Sequence, residues 1–280
     1  MSKVWFVTGA NRGLGKEIAL AALGNGDRVV ACARKAEAVE KEFAALGAGE
    51  RFLALALDVT DQDQSTEAVR EAVLKFGRID VLVNNAGYGQ LGFFETLTHE
   101  QMERQYATNV FGTFNVTRAV LPQMRAQRSG HILNISSIGG AVGFGGCPAY
   151  TSSKFAMEGF SEDLAIELKP FGISVTIVEP GFMKTDFLDS SSVKYGDQVI
   201  DDYASAVAEQ QAHYGDRNHQ QLGDPKKFGQ ALLTIVAATD PPLRFAAGSD
   251  AVAMSREALE CRLAVLEQWR ELSESTDGEG

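Results

Sequence analysis

Cysteine is scarce in this chain. Its three copies among 280 residues, Cys32, Cys147 and Cys261, are scattered and odd in number. That argues against a disulfide framework or a cysteine metal cluster and points to a reducing compartment. Histidine is equally sparse, with four copies and no ligand spacing, so no metal site is expected. His213 and His219 lie in a polar stretch and read as solvated surface. Basic residues are outnumbered, 26 Lys and Arg against 37 Asp and Glu, for a formal net charge of −11. This argues against a nucleic-acid partner, whose phosphates need a basic face. No apolar run approaches the ~18 residues that span a bilayer. The apolar run at the start is too short for a signal peptide and leads straight into glycines. These absences describe a soluble cytoplasmic protein with no membrane partner. Nothing resembles a linker before the last few residues, and no internal repeat is visible. The length suits one large core, in one domain or two.

What is present is alternation. Short β-rich runs lie at Val4–Val7, Arg28–Cys32, Phe52–Leu57, Val81–Val83, His131–Ile135, Ile173–Val178 and Arg244–Ala247. Between them Gly15–Leu23, Ala36–Leu46, Gln64–Phe76, Glu100–Arg128 and Ala149–Leu168 carry apolar stripes at helical spacing. Strands separated by helices imply right-handed crossovers and a parallel sheet covered on both faces. The alternation stops after Pro180: residues 182–224 show no convincing strand and read as an insertion of the kind that forms lids or binding loops. A helix should start at Pro225, capped by Asp224. A last amphipathic helix should run from about Ser255 to Leu272. The tail from Ser273 onward is polar and should fray.

The first strand, Val4-Trp5-Phe6-Val7, runs into Thr8-Gly9-Ala10-Asn11-Arg12-Gly13-Leu14-Gly15. A pyrophosphate at the start of a helix is held by free backbone N–H groups and the helix dipole, and glycines let the backbone approach it. The spacing differs from the G-x-G-x-x-G dinucleotide fingerprint, and a simple glycine turn would look similar. Its place between first strand and first helix favours a nucleotide. The second strand ends Ala31-Cys32-Ala33 and is followed by Arg34 and Lys35. An NAD site would place an acid there for the ribose 2′-OH. Ala33 is neutral, and Arg34, helped by Arg12, suits a 2′-phosphate, which points to NADP.

Tyr150 and Lys154 lie four apart on a predicted helix, hence on one face. A free tyrosine, with a pKa of about 10, is a poor proton donor and acceptor at neutral pH. A nearby ammonium is expected to lower that pKa. Ser137, thirteen residues before Tyr150, offers a hydroxyl to a substrate carbonyl oxygen. In isolation the pair would be a surface aromatic and a surface lysine; with the glycine loop and Ser137 it describes hydride and proton transfer.

From residue 4 to about residue 185 the chain resembles the short-chain dehydrogenase/reductase family. The marks are Thr8-Gly9-x-x-x-Gly13-x-Gly15, Asp58-Val59, Asn84-Asn85-Ala86-Gly87, Asn109, Ser137, Tyr150-x-x-x-Lys154 and Pro180-Gly181 with Thr185. The resemblance implies an α/β fold, a three-layer Rossmann-type sandwich around a mostly parallel seven-stranded sheet. It implies a catalytic set of Asn109, Ser137, Tyr150 and Lys154. Asp58 and Val59 would lie against adenine, and Asn85, Ala86 and Gly87 along the adenosine ribose. Asn84 would stabilise the sheet. Gly9, Asn11, Arg12, Gly13, Leu14 and Arg34 would hold phosphates, and Lys154 also the nicotinamide ribose. Pro180, Gly181, Met183 and Thr185 would hold the nicotinamide. Asn109 would bend its helix and keep a water in a relay to Lys154. The thirteen-residue spacing selects Ser137 over Ser136. The family's frequent glycine-rich ending is replaced here by Arg244–Asp250 and an added helix, which favours a homodimer over a tetramer.

The resulting expectation is a single domain over residues 1–273 with an inserted loop at about 182–224. Its function would be NADP-dependent interconversion of a carbonyl compound and an alcohol, with Tyr150 as acid and base. The small apolar stretch Ile138–Pro148, with Phe182, Phe187, Leu188, Tyr195 and Tyr203, suggests an apolar substrate pocket. An NAD-dependent alcohol dehydrogenase on the same fold, and a regulator that senses NADP without turnover, are the alternatives.

Overall fold

The computed structural model describes residues 2–43 and 47–278. Among these, seven strands form one parallel sheet in the order β3-β2-β1-β4-β6-β7-β9. They are β1 (Val4–Thr8), β2 (Arg28–Ala33), β3 (Phe52–Ala56), β4 (Val81–Asn84), β6 (Gly130–Ile135), β7 (Ile173–Pro180) and β9 (Arg244–Ala247). Two-residue strands β5 (Gly89–Gln90) and β8 (Val193–Lys194) pair separately, also in parallel.

The three layers follow from the period of two along each strand. In β1, Trp5 and Val7 join one core, closed by Ile18 of α1 (Gly13–Gly24), Val39 of α2 (Ala36–Phe43) and Leu232 of α8 (Pro225–Ala237). Val4 and Phe6 point the other way. They join Ala72 of α3 (Gln62–Phe76), Val120 of α5 (Gly112–Gln127) and Leu164 of α6 (Pro148–Leu168). Strand order reverses between β1 and β4, which opens a crevice at the carboxyl ends of the strands, where open α/β sheets bind ligands.

The seven expected strands and the helix start at Pro225 are present, the latter with Asp224 accepting from the N–H groups of Lys226 and Lys227. Four expectations need correction or limits. The helix expected over Glu100–Arg128 is α4 (His99–Tyr106), a π-helical turn at Ala107–Phe111 that carries Asn109, and α5. Hydrophobic periodicity does not report an extra residue in a helical turn. The segment 182–224 contains β8 and a helix, α7 (Ala204–Arg217); a two-residue strand is too short to show alternation. The last helix, α9 (Ser249–Gln268), starts earlier than expected and buries only Ala251, while Leu259, Leu263 and Leu266 stay exposed. Its apolar stripe therefore does not face the core. Of the helix expected over Ala36–Leu46, residues 44–46 lie outside the described residues. No described helix is long and apolar enough to cross a membrane.

One cluster fastens the sheet edge to the neighbouring helix. Arg244 of β9 donates to Glu179 of β7 at 2.8 Å and to Glu162 of α6 at 2.6 Å, and also pairs with Glu158 of α6. Glu158 and Glu179 are buried. Two buried carboxylates are tolerable only when paired and hydrogen-bonded. Arg244→Met leaves them without that partner, and we expect a loss of about 3 kcal/mol of stability. Urea denaturation measures it; a variant as stable as the wild type would contradict the assignment of these ion pairs as structural.

Candidate active site

The glycine loop turns because Gly9 and Gly13 adopt left-handed backbone, at φ 64° and 55°. At Gly15 the reason is space: a Cβ there would lie 2.5 Å from the Gly9 carbonyl oxygen and 2.4 Å from Asn85 Nδ2. The loop is clamped to the segment after β4. The Thr8 hydroxyl accepts from the backbone N–H groups of Asn85 and Ala86 at 3.0 Å, and Asn85 Nδ2 donates to the Thr8 and Gly9 carbonyls. Arg12 precedes α1 with no side-chain cap, and the first turn of α1 carries no acid. The helix start thus presents free N–H groups with no acid in its own first turn to repel an anion.

The ribose-side residues are also brought to this crevice. Arg34 is exposed and lines it beside Asp58, Asn85, Ala86 and Gly87. Among the described residues Arg34 makes no ion pair. Arg12 lines the same crevice, and its guanidinium donates to the Ser191 hydroxyl at 2.6 Å and the Ser191 carbonyl at 3.1 Å, which ties the inserted segment to the glycine loop. Asp58 accepts from the Thr60 N–H and hydroxyl, which fixes the turn after β3, and Asn115 Nδ2 donates to the Val59 carbonyl. Asn84 points into the sheet, donating to Thr117 and Asn134.

Ser137, Tyr150 and Lys154 converge in the same crevice. Lys154 is buried, donates to the Ile135 carbonyl at 2.8 Å and places its Nζ 5.8 Å from the centre of the Tyr150 ring. The Ser137 hydroxyl accepts from the Gly139 N–H at 3.0 Å. A Cβ on Gly139 would meet both Tyr150 Cε1, at 3.3 Å, and Ser137 Oγ, at 3.4 Å, so a glycine here lets phenol and hydroxyl come together. Asn109, on the π turn, clamps Tyr88. It accepts from the Tyr88 N–H at 3.2 Å, and its Nδ2 donates to the Tyr88 carbonyl at 3.1 Å and Ser153 Oγ at 3.3 Å.

The expected lowering of the tyrosine pKa is not what the polypeptide alone produces. Burial pushes Tyr150 up to about 12, with the Ser137 hydroxyl pulling the other way. Burial pulls Lys154 down to about 8, with the Glu158 carboxylate opposing. Desolvation of the charged form is the largest cause of each shift.

On the nicotinamide side, Pro180 ends β7 and Thr185 lies over the loop, its Cβ 3.8 Å from where a Gly13 Cβ would be. Met183 bridges to Gly223. Asp250, a residue the sequence did not single out, holds this turn: its carboxylate accepts from the Phe182 N–H at 2.7 Å, and a Cβ on Gly181 would meet it at 2.2 Å. Beyond Tyr150 the crevice, of about 1070 Å³, becomes apolar. Leu91, Cys147 and Val193 pack there with Phe144, Leu188, Tyr195 and Tyr214, and Phe187 lies 5.7 Å from Tyr150. Phe182 also lines the crevice. Tyr203 does not belong to this wall; it stacks on Phe93 and donates to Glu95 at 2.6 Å. Tyr214 takes that place, its hydroxyl 3.2 Å from Cys147 Sγ. The helical pattern of α7 was the only signal that could have found it. Sequence spacing likewise missed that His219 comes within 3.2 Å of Asp189, with Asp186 close by.

Comparison with known proteins bears on this geometry. A family model described as "short chain dehydrogenase" matches residues 3–196. The chain is 42% identical over 273 residues to oxidoreductase BOA17 of Botryotinia fuckeliana, covering 98% of each. It is 37% identical over 247 residues to a 3-ketodihydrosphingosine reductase of Bacteroides thetaiotaomicron, covering 88% of each. A crystal structure of a short-chain dehydrogenase from Streptomyces avermitilis superposes with a TM-score of 0.89 at 40% identity, covering 99% of each chain.

The lysine shift makes a prediction about stability. With a folded pKa of about 8 against an ordinary 10.5, the unfolded chain binds more protons at this position between those values. Stability should therefore rise with pH in that window. Relative to Lys154→Met, the wild type should gain about 2 kcal/mol between pH 8 and pH 10. Urea denaturation across that range measures the difference; a constant difference would mean that Lys154 is not depressed.

Proposed function

The chain belongs to the short-chain dehydrogenase/reductase family, and on that premise we propose that it is an NADP-dependent oxidoreductase that interconverts a carbonyl compound and an alcohol. The observation that carries this reading is the convergence of Ser137, Tyr150 and Lys154 in one crevice with the glycine loop. The residues present fit a dinucleotide phosphate. Free N–H groups at the start of α1 suit a pyrophosphate, and the absence of acid in its first turn removes repulsion. Neutral Ala33 and exposed Arg34 suit a 2′-phosphate, and Arg12 offers a second positive charge in the same crevice. Asp58, Val59, Asn85, Ala86 and Gly87 would lie along the adenosine, and Pro180, Gly181, Met183 and Thr185 along the nicotinamide. When bound, the nicotinamide supplies hydride to the carbonyl carbon.

The chain's own residues do the rest. Tyr150, kept protonated by burial, is ready to donate a proton to the oxygen when the carbonyl is reduced. Ser137 holds that oxygen through its hydroxyl as negative charge develops. Lys154 places a positive charge beside the phenol, which eases loss of its proton. Asn109 fixes the segment that faces the crevice at Tyr88. The apolar wall beyond Tyr150, and the keto compound in the name of the Bacteroides relative, both support a ketone on a largely apolar body. Exposed Phe111 and Phe155, beside α5 and on α6, support a homodimer through these helices, and the free cysteines suit a reducing cytoplasmic setting.

Tyr150→Phe should bind NADPH as the wild type does and lose about 10²–10⁴-fold in kcat. Wild-type kcat in the variant, with chemistry rate-limiting, would remove Tyr150 from the reaction. For cofactor choice, the wild type should favour NADPH over NADH by at least about tenfold in kcat/KM, because one charge-assisted hydrogen bond contributes roughly 1.5–3 kcal/mol. Ala33→Asp combined with Arg34→Val should abolish or invert that preference. Equal wild-type efficiency with both cofactors would show that Arg34 does not read the 2′-phosphate.

A further inference from the structure

Behind the crevice lies a buried group of charges that the reaction as described does not use. Glu158 stands one helical turn after Lys154 on α6 and is buried. Its Oε1 accepts from the Ser136 hydroxyl, at the end of the strand that carries Ser137 next in sequence. Its Oε2 pairs with Arg244, which also holds Glu179 and Glu162. The contact is tightly built: a Cβ on Gly140 would lie 2.6 Å from both Ser136 Oγ and Glu158 Oε1, so only glycine lets the turn after Ser137 close over this carboxylate. The charges balance. Two buried carboxylates, Glu158 and Glu179, face two cations, Arg244 and Lys154, with Glu162 at the exposed rim. The ammonium of Lys154 donates to the Ile135 carbonyl, and Glu158, one turn along the same helix, brings the nearest carboxylate charge on α6.

We propose that Glu158 is a positioning residue of this site, anchored by Arg244, which fixes the Ser136–Ser137 strand end through the Ser136 hydroxyl and supplies the counter-charge for Lys154. The role for catalysis rests on the reading given under Proposed function; the effect on Lys154 does not. Groups facing Glu158 are Ser136 from β6, Glu179 from β7, Arg244 from β9, and Lys154 and Glu162 from α6 itself. Burial lowers the lysine and Glu158 opposes that fall, so removing its charge should lower the lysine further.

The test is competitive acetylation of the full chain with acetic anhydride, read at Lys154 by mass spectrometry across pH 6–10. It needs no substrate. In Glu158→Gln, which keeps size and hydrogen-bonding capacity but not charge, the free-amine fraction of Lys154 at pH 7 should rise at least about threefold, since an opposite charge commonly moves a neighbour's pKa by about 1 or more. Glu158→Asp, which keeps the charge but draws it back, should be intermediate, and it serves alone if the Gln variant does not fold. In ketone reduction the alkaline limb of the kcat/KM profile should move to lower pH in Glu158→Gln. A purely structural role would instead lower activity equally at all pH and leave Lys154 acetylation unchanged, which would overturn the proposal. A wild type inactive on all ketones would overturn the proposed reaction, while the acetylation result would still decide the role of Glu158.

Discussion

A lysine ammonium with almost no water around it is costly, and the centre of this molecule is arranged to meet that cost. Lys154 sits at the carboxyl end of the sheet, held by the Ile135 carbonyl and offset by Glu158 one turn along α6. Its pKa still falls to about 8, so compensation is incomplete. That residual tension is chemically useful. A cation that must stay near a phenol, in a crevice open to a substrate oxygen, is available to stabilise negative charge arising there. Around this placement stand the π turn that carries Asn109, the glycine that lets Ser137 approach Tyr150, and the Asp250 contact that holds the turn after β7.

The parallel sheet supplies the frame. Because strand order reverses between β1 and β4, the loops after these strands diverge and leave room between them. The glycine loop follows β1 and the Asn85-Ala86-Gly87 turn follows β4, and Thr8 with Asn85 ties the two together. β6 and β7 bring Ser137 and Pro180 to the same edge. A crevice that combines a helix start with free N–H groups and a buried tyrosine–lysine pair thus follows from one topological feature and a few clamps, rather than from any single motif.

Much of this was legible in the sequence because the central strands are buried and most of the helices are amphipathic. Val4–Val7 and Ile173–Val178 announce themselves by composition, and Tyr150 and Lys154 by their company with the glycine loop and Ser137. The illegible parts share a physical character. The π turn around Asn109 changes hydrogen-bond register without changing composition. Arg12 donates to Ser191, 179 residues away, a contact that only the folded insertion creates. Tyr203 and Tyr214 look alike in sequence, and the direction of α7 decides which one reaches Cys147. The Tyr150 shift is upward because burial dominates it, and spacing in the sequence does not report burial.

The proposed reaction brings hydride from a nicotinamide and a proton from Tyr150 to a ketone. The most direct measurement is incubation of the wild-type protein with NADPH deuterated at both C4 positions and a panel of apolar ketones, with the products analysed by mass spectrometry. The expected product is an alcohol that carries one deuterium at its carbinol carbon. Reduced product with no deuterium from the cofactor, or no reduced product from any ketone in the panel, would contradict it.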